Sequence, residues 1–159
     1  MESRRAAVNE HSGGRLGYLH LPKTAFDGMR ELYRLYPAQI DKDAILIDVR
    51  YTGGGFIPDH MVSLVGREPI VYWKRRGLHP NAQTTPTIAH DGPTAVLIPG
   101  YSSSGGDAFP SYDKEAGLGP LIGTRTWGGL IGISGNPMLA DNGGILTSTF
   151  RMLDPEGNW

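Results

Sequence analysis

The residues best equipped for chemistry lie in Gly-Tyr-Ser-Ser-Ser-Gly-Gly-Asp-Ala-Phe, residues 100–109, directly behind an apolar run. Three consecutive serines, Ser102, Ser103 and Ser104, precede Gly105, Gly106 and Asp107. A serine hydroxyl at the entry of a helix can attack a carbonyl carbon, provided that nearby backbone amides hold the resulting oxyanion. A second stretch, Asp48-Val-Arg-Tyr-Thr-Gly-Gly-Gly-Phe56, offers such amides, because glycine removes the Cβ that would keep a substrate away from the backbone. The pair has the logic of a nucleophile elbow, although the G-x-S-x-G pattern is absent. Plainer readings use the same residues. Serines at a helix start are commonly N-caps, worth about 1 kcal/mol each, and a triple glycine after a strand can cradle a phosphate. Neither G-x-G-x-x-G nor G-x-x-x-x-G-K-[ST] is present, so a nucleotide site has little support.

Both loops follow segments that read as strands. Residues 44–50 and 94–100 are nearly continuous apolar runs, the pattern of strands buried on both faces of a parallel sheet. Residues 15–21 and 69–73 read as shorter strands. Between the strands at 15–21 and 44–50, Phe26, Met29, Leu32, Tyr33 and Tyr36 recur at helical spacing, and Pro37 closes the helix. Further helices are expected over residues 57–66 and from about Gly105 to Ala116. Residues 74–92 are polar and proline-bearing and read as an exposed excursion. Residues 120–126 are strand-like, 127–136 form a glycine-rich turn region, and 145–153 alternate as an edge strand does. Strand, crossover helix, strand recurs, which argues for an α/β fold with a mainly parallel sheet. Ligands bind such sheets outside the carboxyl ends of the strands, where both loops fall. Residues 1–14 read as a linker or disordered start. The terminal Asp-Pro-Glu-Gly-Asn-Trp is a turn signal with no returning strand, which leads to the expectation that the chain is a truncated part of a longer protein.

Composition narrows the chemistry. With 159 residues, 39% of them apolar and a formal net charge of -1, the chain suits one globular domain, and its charge gives no support to a nucleic-acid or membrane partner. The absence of cysteine removes thiolate catalysis and Cys-based zinc sites. The histidines, His11, His20, His60, His79 and His90, are scattered without ligand spacing, so no metal and no cofactor is implied. No signal-peptide h-region is present, and a cytoplasmic location is expected.

Residues 44–56, 101–109 and 117–135, with Gly-Arg-Leu-Gly-Tyr-Leu-His-Leu-Pro ahead of them, resemble the catalytic core of the tricorn-type serine peptidases. These are relatives of the C-terminal processing (tail-specific) proteases, and the resemblance runs from about Arg15 to Trp159. It implies a crotonase-like or Clp-protease-like spiral with flanking helices, with residues 15–159 as the C-terminal catalytic subdomain truncated before its last strands. It implies that Ser104 is the nucleophile, that Gly105 and Gly55 supply the oxyanion-hole amides, and that Asp107 caps or orients the helix. Tricorn members often carry Asp where this chain has Gly105. In that family the base histidine lies in an upstream subdomain and a supporting glutamate lies just beyond the segment matching the end of this chain. The processing proteases instead use a lysine about twenty-five residues after the serine, and none stands there. The chain alone is therefore expected to be inactive or nearly so. Its implied partners are peptide or unfolded-protein substrates and upstream domains of the same parent chain, with room for a homo-oligomer. The cluster Trp73, Lys74, Arg75 and Arg76 disfavours a taste for basic side chains and would suit a terminal carboxylate, or simply a solvated surface. A competing reading is a non-catalytic peptide-binding module; an acyl-CoA enzyme of the crotonase type is a third.

Overall fold

The computed structural model describes residues 2–74, 76–77 and 83–159. Four strands, β1 (Leu16–His20), β2 (Ala44–Asp48), β5 (Thr94–Ile98) and β6 (Leu121–Gly123), form one wholly parallel sheet in the order β1-β2-β5-β6. The crossovers are helices α2 (Phe26–Leu35), α3 (Pro58–Val65) and α4 (Gly105–Glu115). Between α3 and β5 a short antiparallel hairpin, β3 (Val71–Trp73) with β4 (Gln83–Thr85), projects from the domain. A two-residue pair, β7 (Ile131–Gly132) with β8 (Phe150–Arg151), is the only regular structure after β6 among the described residues. No helix among them is long and apolar enough to cross a membrane.

Register places Leu19, Ile47 and Val96 in one row across three strands, all fully buried. Leu32, Met61, Leu64 and Phe109 from the three helices join them in a single core cluster. Each such side chain contributes about 1.5–3 kcal/mol by leaving water. The strands are not equally covered on both faces. Burial along β2 alternates, with Ala44 and Leu46 only half-buried, so the second face of the sheet is lightly covered. α2 also departs from its expected stripe. Phe26 opens the helix and is 85% exposed, whereas Leu32 and Tyr36 are buried.

The start of the chain, expected as a linker, forms helix α1 (Glu2–His11) against β1. Its sequence supplies strong helix formers, Ala6 and Ala7 among charged residues, and the Gly14 N–H bonds to Asn9 O (2.7 Å) where the helix stops at the left-handed Gly13. The outer edge of β1 is met by side chains. Leu16 N–H donates to Ser12 Oγ (3.1 Å) and Tyr18 N–H to Gln39 Oε1 (2.7 Å), while Gln39 Nε2 donates back to Tyr18 O (3.1 Å).

Candidate active site

The serine loop leaves the carboxyl end of β5 and is pinned before it reaches the helix. Ser102 is fully buried, and its hydroxyl donates to Val49 O (3.0 Å) at the end of β2. Its carbonyl accepts Trp127 N–H (3.0 Å), so Ser102 is a structural tie between neighbouring strand ends. Ser104 then takes φ 56° and ψ -118° at the N-cap of α4. A non-glycine residue rarely adopts this left-handed backbone, which costs of order 1–3 kcal/mol and concentrates at functional sites. The conformation also decides what the hydroxyl does. Ser104 makes no side-chain cap bond to α4, and its residue lines an open cleft instead. The capping expected of this loop is thus carried by carbonyls: Ser103 O accepts Gly106 N–H (2.9 Å) and Ser104 O accepts Asp107 N–H (2.8 Å).

The glycine loop is laid along residues 21–24 after β1. Thr52 Oγ1 donates to Leu21 O, Gly53 N–H to Pro22 O (3.1 Å) and Ile57 N–H to Thr24 O (3.1 Å). This route brings the loop onto the nucleophile turn. A Cβ on Gly54 would stand 3.0 Å from Ser104 Cβ and 3.2 Å from its Oγ. A Cβ on Gly105 would come within 2.7 Å of Gly55 N and overlap Thr24 Oγ1, and one on Gly55 would overlap the Thr24 carbonyl. Ser104, Gly105 and Gly55 are therefore brought together, with Gly54 and Thr24 beside them. A side chain at 105 would also overlap the Gly55 carbonyl oxygen, so with the two loops placed as they are glycine fits at 105, where the resemblance leads one to expect Asp. Among the described residues, neither the Gly55 nor the Gly105 N–H has a hydrogen-bond acceptor.

The cleft over Ser104 holds about 390 Å³. Ser104, Ala108 and Tyr112 line it from one face of α4 at four-residue steps, Phe56 borders it from the glycine loop and Pro58 from the start of α3, and residues 129–133 line it from the segment after β6. Tyr112 donates to Met152 Sδ (3.1 Å), and burial together with the charge of Asp59 pushes its phenol above the ordinary range. None of Trp73, Lys74 and Arg76 lines this cleft, and Arg75 lies outside the described residues.

Asp107 does not cap its helix as one half of the expectation had it. Its buried carboxylate makes no cap bond to α4 and instead ties the helix to the segment after β6, accepting Gly128 N–H (2.8 Å) and Gly129 N–H (3.0 Å). At the end of β2, buried Asp48 accepts from Arg50 N (3.0 Å), Nε (2.9 Å) and Nη2 (2.8 Å) and from Tyr18. Burial alone would raise the Asp48 pKa; the bonds from Arg50 and Tyr18 outweigh it and hold the carboxyl below its usual range. The Arg50 side chain of this pair is half-buried, and its backbone N–H bond to Asp48 lies at the entry of the glycine loop.

No histidine among the described residues hydrogen-bonds to Ser104. His20 Nε2 lies 3.2 Å from Arg50 O, and His11 and His60 are exposed on helices. His90, expected in an exposed excursion, is 6% exposed with Nδ1 3.1 Å from Ile40 O. His79 lies outside the described residues. No group of three or more His, Cys, Asp or Glu among the described residues is arranged to hold a metal.

The family model of peptidase family S41 matches residues 15–159. The chain belongs to family S41. This S41 chain is 37% identical over 148 residues to the tricorn protease of Thermoplasma acidophilum, an alignment covering 92% of the chain and 13% of that protein. It is 36% identical over 138 residues to tricorn protease homolog 1 of Streptomyces coelicolor, covering 87% of the chain and again 13% of the relative. It therefore spans about an eighth of the length of these relatives. Among solved structures, the tricorn protease superposes with a TM-score of 0.81 at 35% identity, covering 92% of the S41 chain and 14% of the other. The photosystem II D1 C-terminal processing protease superposes with a TM-score of 0.67 at 18% identity, over 90% of this chain and 39% of that one, a likeness of fold.

Proposed function

We propose that this chain is the nucleophile-bearing part of a serine peptidase in which Ser104 forms the acyl-enzyme. The observation that carries the reading is the left-handed backbone of Ser104, on a cleft where the amides of Gly55 and Gly105 have no acceptor among the described residues. Oγ attacks the scissile carbonyl carbon, and its proton passes to a base. The carbonyl π pair moves onto oxygen, and the two amides stabilise that charge more than they stabilise the ground-state carbonyl. When the C–N bond breaks, the amine leaves with the proton returned by the base. Water then hydrolyses the ester and restores the serine. Because no described histidine bonds to Ser104, the base would come from another segment of a longer protein, as the family resemblance implies. A serine without a base is a poor nucleophile, and this chain alone is expected to be nearly inert.

The same lack of a base among the described residues supports a second reading, a peptide-binding module that retains the cleft without the reaction. Labelling by a fluorophosphonate separates the two. We expect a protein carrying this chain with the flanking segments of its gene to label, the isolated chain to label weakly or not at all, and Ser104→Ala to reduce peptide hydrolysis on the order of 10⁴-fold or more. A folded long protein that stays unlabelled would establish the binding module.

A further inference from the structure

Asp107 stands at the third helical position of α4, where an acidic side chain ordinarily reaches back to the N-cap amide. It is 3% exposed, and its two oxygens instead bind the amides of Gly128 and Gly129 at 2.8 and 3.0 Å. The preceding amide, Trp127 N–H, donates to Ser102 O. Three successive N–H groups, 127 to 129, are thus all delivered to the turn that carries Ser104. The left-handed φ of 87° at Gly128 lets neighbouring amides converge on one acceptor, the geometry of an anion-binding nest occupied here by a side chain of the same protein. A Cβ on Gly129 would stand 2.6 Å from the Trp127 ring, so the loop is also closely packed at this point.

Residues 129–133, which begin at the second amide of this clamp, line the same cleft as Ser104. They have little else to hold them. No residue from Leu121 to Trp159 is fully buried, and the β7–β8 pair is two residues long. We propose that Asp107 is a positioning residue for peptide binding. Its carboxylate fixes the distance between the nucleophile turn and the extended wall along which a peptide main chain must lie. This rests on the reading of Ser104 as the nucleophile. A charged acceptor on two amides makes short, strong hydrogen bonds, which suits a group that must hold a wall lacking its own core. The ligand class that should sense Asp107 is the extended oligopeptide. A small phosphonylating reagent that touches only Oγ and the two oxyanion amides should not.

The test compares wild type, Asp107→Asn and Asp107→Ala in the longer, labelling-competent protein. Asn keeps the volume and carries the experiment if the Ala variant does not fold. Three readouts are taken: the fluorophosphonate labelling rate, KM and kcat for an oligopeptide, and hydrogen exchange of the Gly128 and Gly129 amides. We expect labelling within about threefold of wild type, KM raised about tenfold or more with a smaller change in kcat, and faster exchange at both amides. A merely structural Asp107 would lower labelling and peptide turnover together, in step with the folded fraction, and that result overturns the proposal. So does an unchanged KM in a variant whose two amides have lost protection. If wild type fails to label, or Ser104→Ala labels like wild type, the nucleophile reading itself falls and takes the clamp's role with it.

Discussion

The cleft is built by two regions of unlike construction. From Leu16 to Leu121 the chain alternates strand and helix, and it contributes every side chain of the core cluster. From Ile122 to Trp159 no residue is fully buried, and Trp127, Ile133, Leu146 and Phe150 are open to solvent. Yet both regions line the same cavity, the first through Ser104, Ala108 and Tyr112, the second through residues 129–133, Phe150 and Met152. The difference teaches how this site divides its labour. The reactive hydroxyl is held in a strained conformation by a packed core that can sustain the cost. The wall that a substrate would touch is held by a few hydrogen bonds to that core, the kind of attachment that opens locally without global unfolding.

Matched substitutions sharpen or dissolve this contrast. Phe109→Ala, in the core, should cost about 3–5 kcal/mol in urea unfolding, because the fully buried ring leaves a cavity that α3 and the sheet cannot fill. Asp113→Asn should act in the other direction and with intermediate size. The Asp113 side chain is fully buried, neither oxygen has a hydrogen-bond partner among the described residues, and burial pushes its pKa up to about 6 from 3.8. The folded state therefore binds this proton more tightly than the unfolded state. Stability falls as pH rises from about 4 through 6, and the full penalty stands above that window. At pH 7 the Asn variant should be more stable by on the order of 1–3 kcal/mol, with the gain vanishing toward pH 4. A gain that did not vary with pH would put the effect elsewhere. Phe150→Ala should be the mildest, within about 0.5 kcal/mol of wild type, since the ring is 45% exposed. Equal losses for Phe109 and Phe150 would mean that the C-terminal region has a core of its own.

Much of this was legible in the sequence, and what was not shares a physical cause. Apolar runs and helical spacing located β1, β2, β5 and the three crossover helices, because periodicity is a local property. That the sheet would be mainly parallel followed from their alternation, whereas its strand order, β1-β2-β5-β6, was not legible in it. Ser104 could be separated from Ser102 and Ser103 only by family resemblance; the left-handed φ that singles it out has no sequence signature in a serine. Asp107 looked like a helix cap because its partners lie 21 and 22 residues further on. His90 looked exposed among polar neighbours, whereas the Ile40 carbonyl that receives it lies 50 residues away. The nearness of Gly54 and Thr24 to the serine likewise depends on how two loops from different strands cross.

The hydrogen bonds on the outer side of β1 bear on how the sheet ends. A bare edge strand offers a ladder of donors and acceptors to any passing chain. Here Ser12 takes the amide of Leu16, and the single side-chain amide of Gln39 takes both the N–H and the C=O of Tyr18, with α1 packed alongside. Gln39 thereby imitates one rung of a neighbouring strand. The edge is satisfied without being extended, and self-association through strand addition on that side would first have to break bonds the molecule has already made with itself.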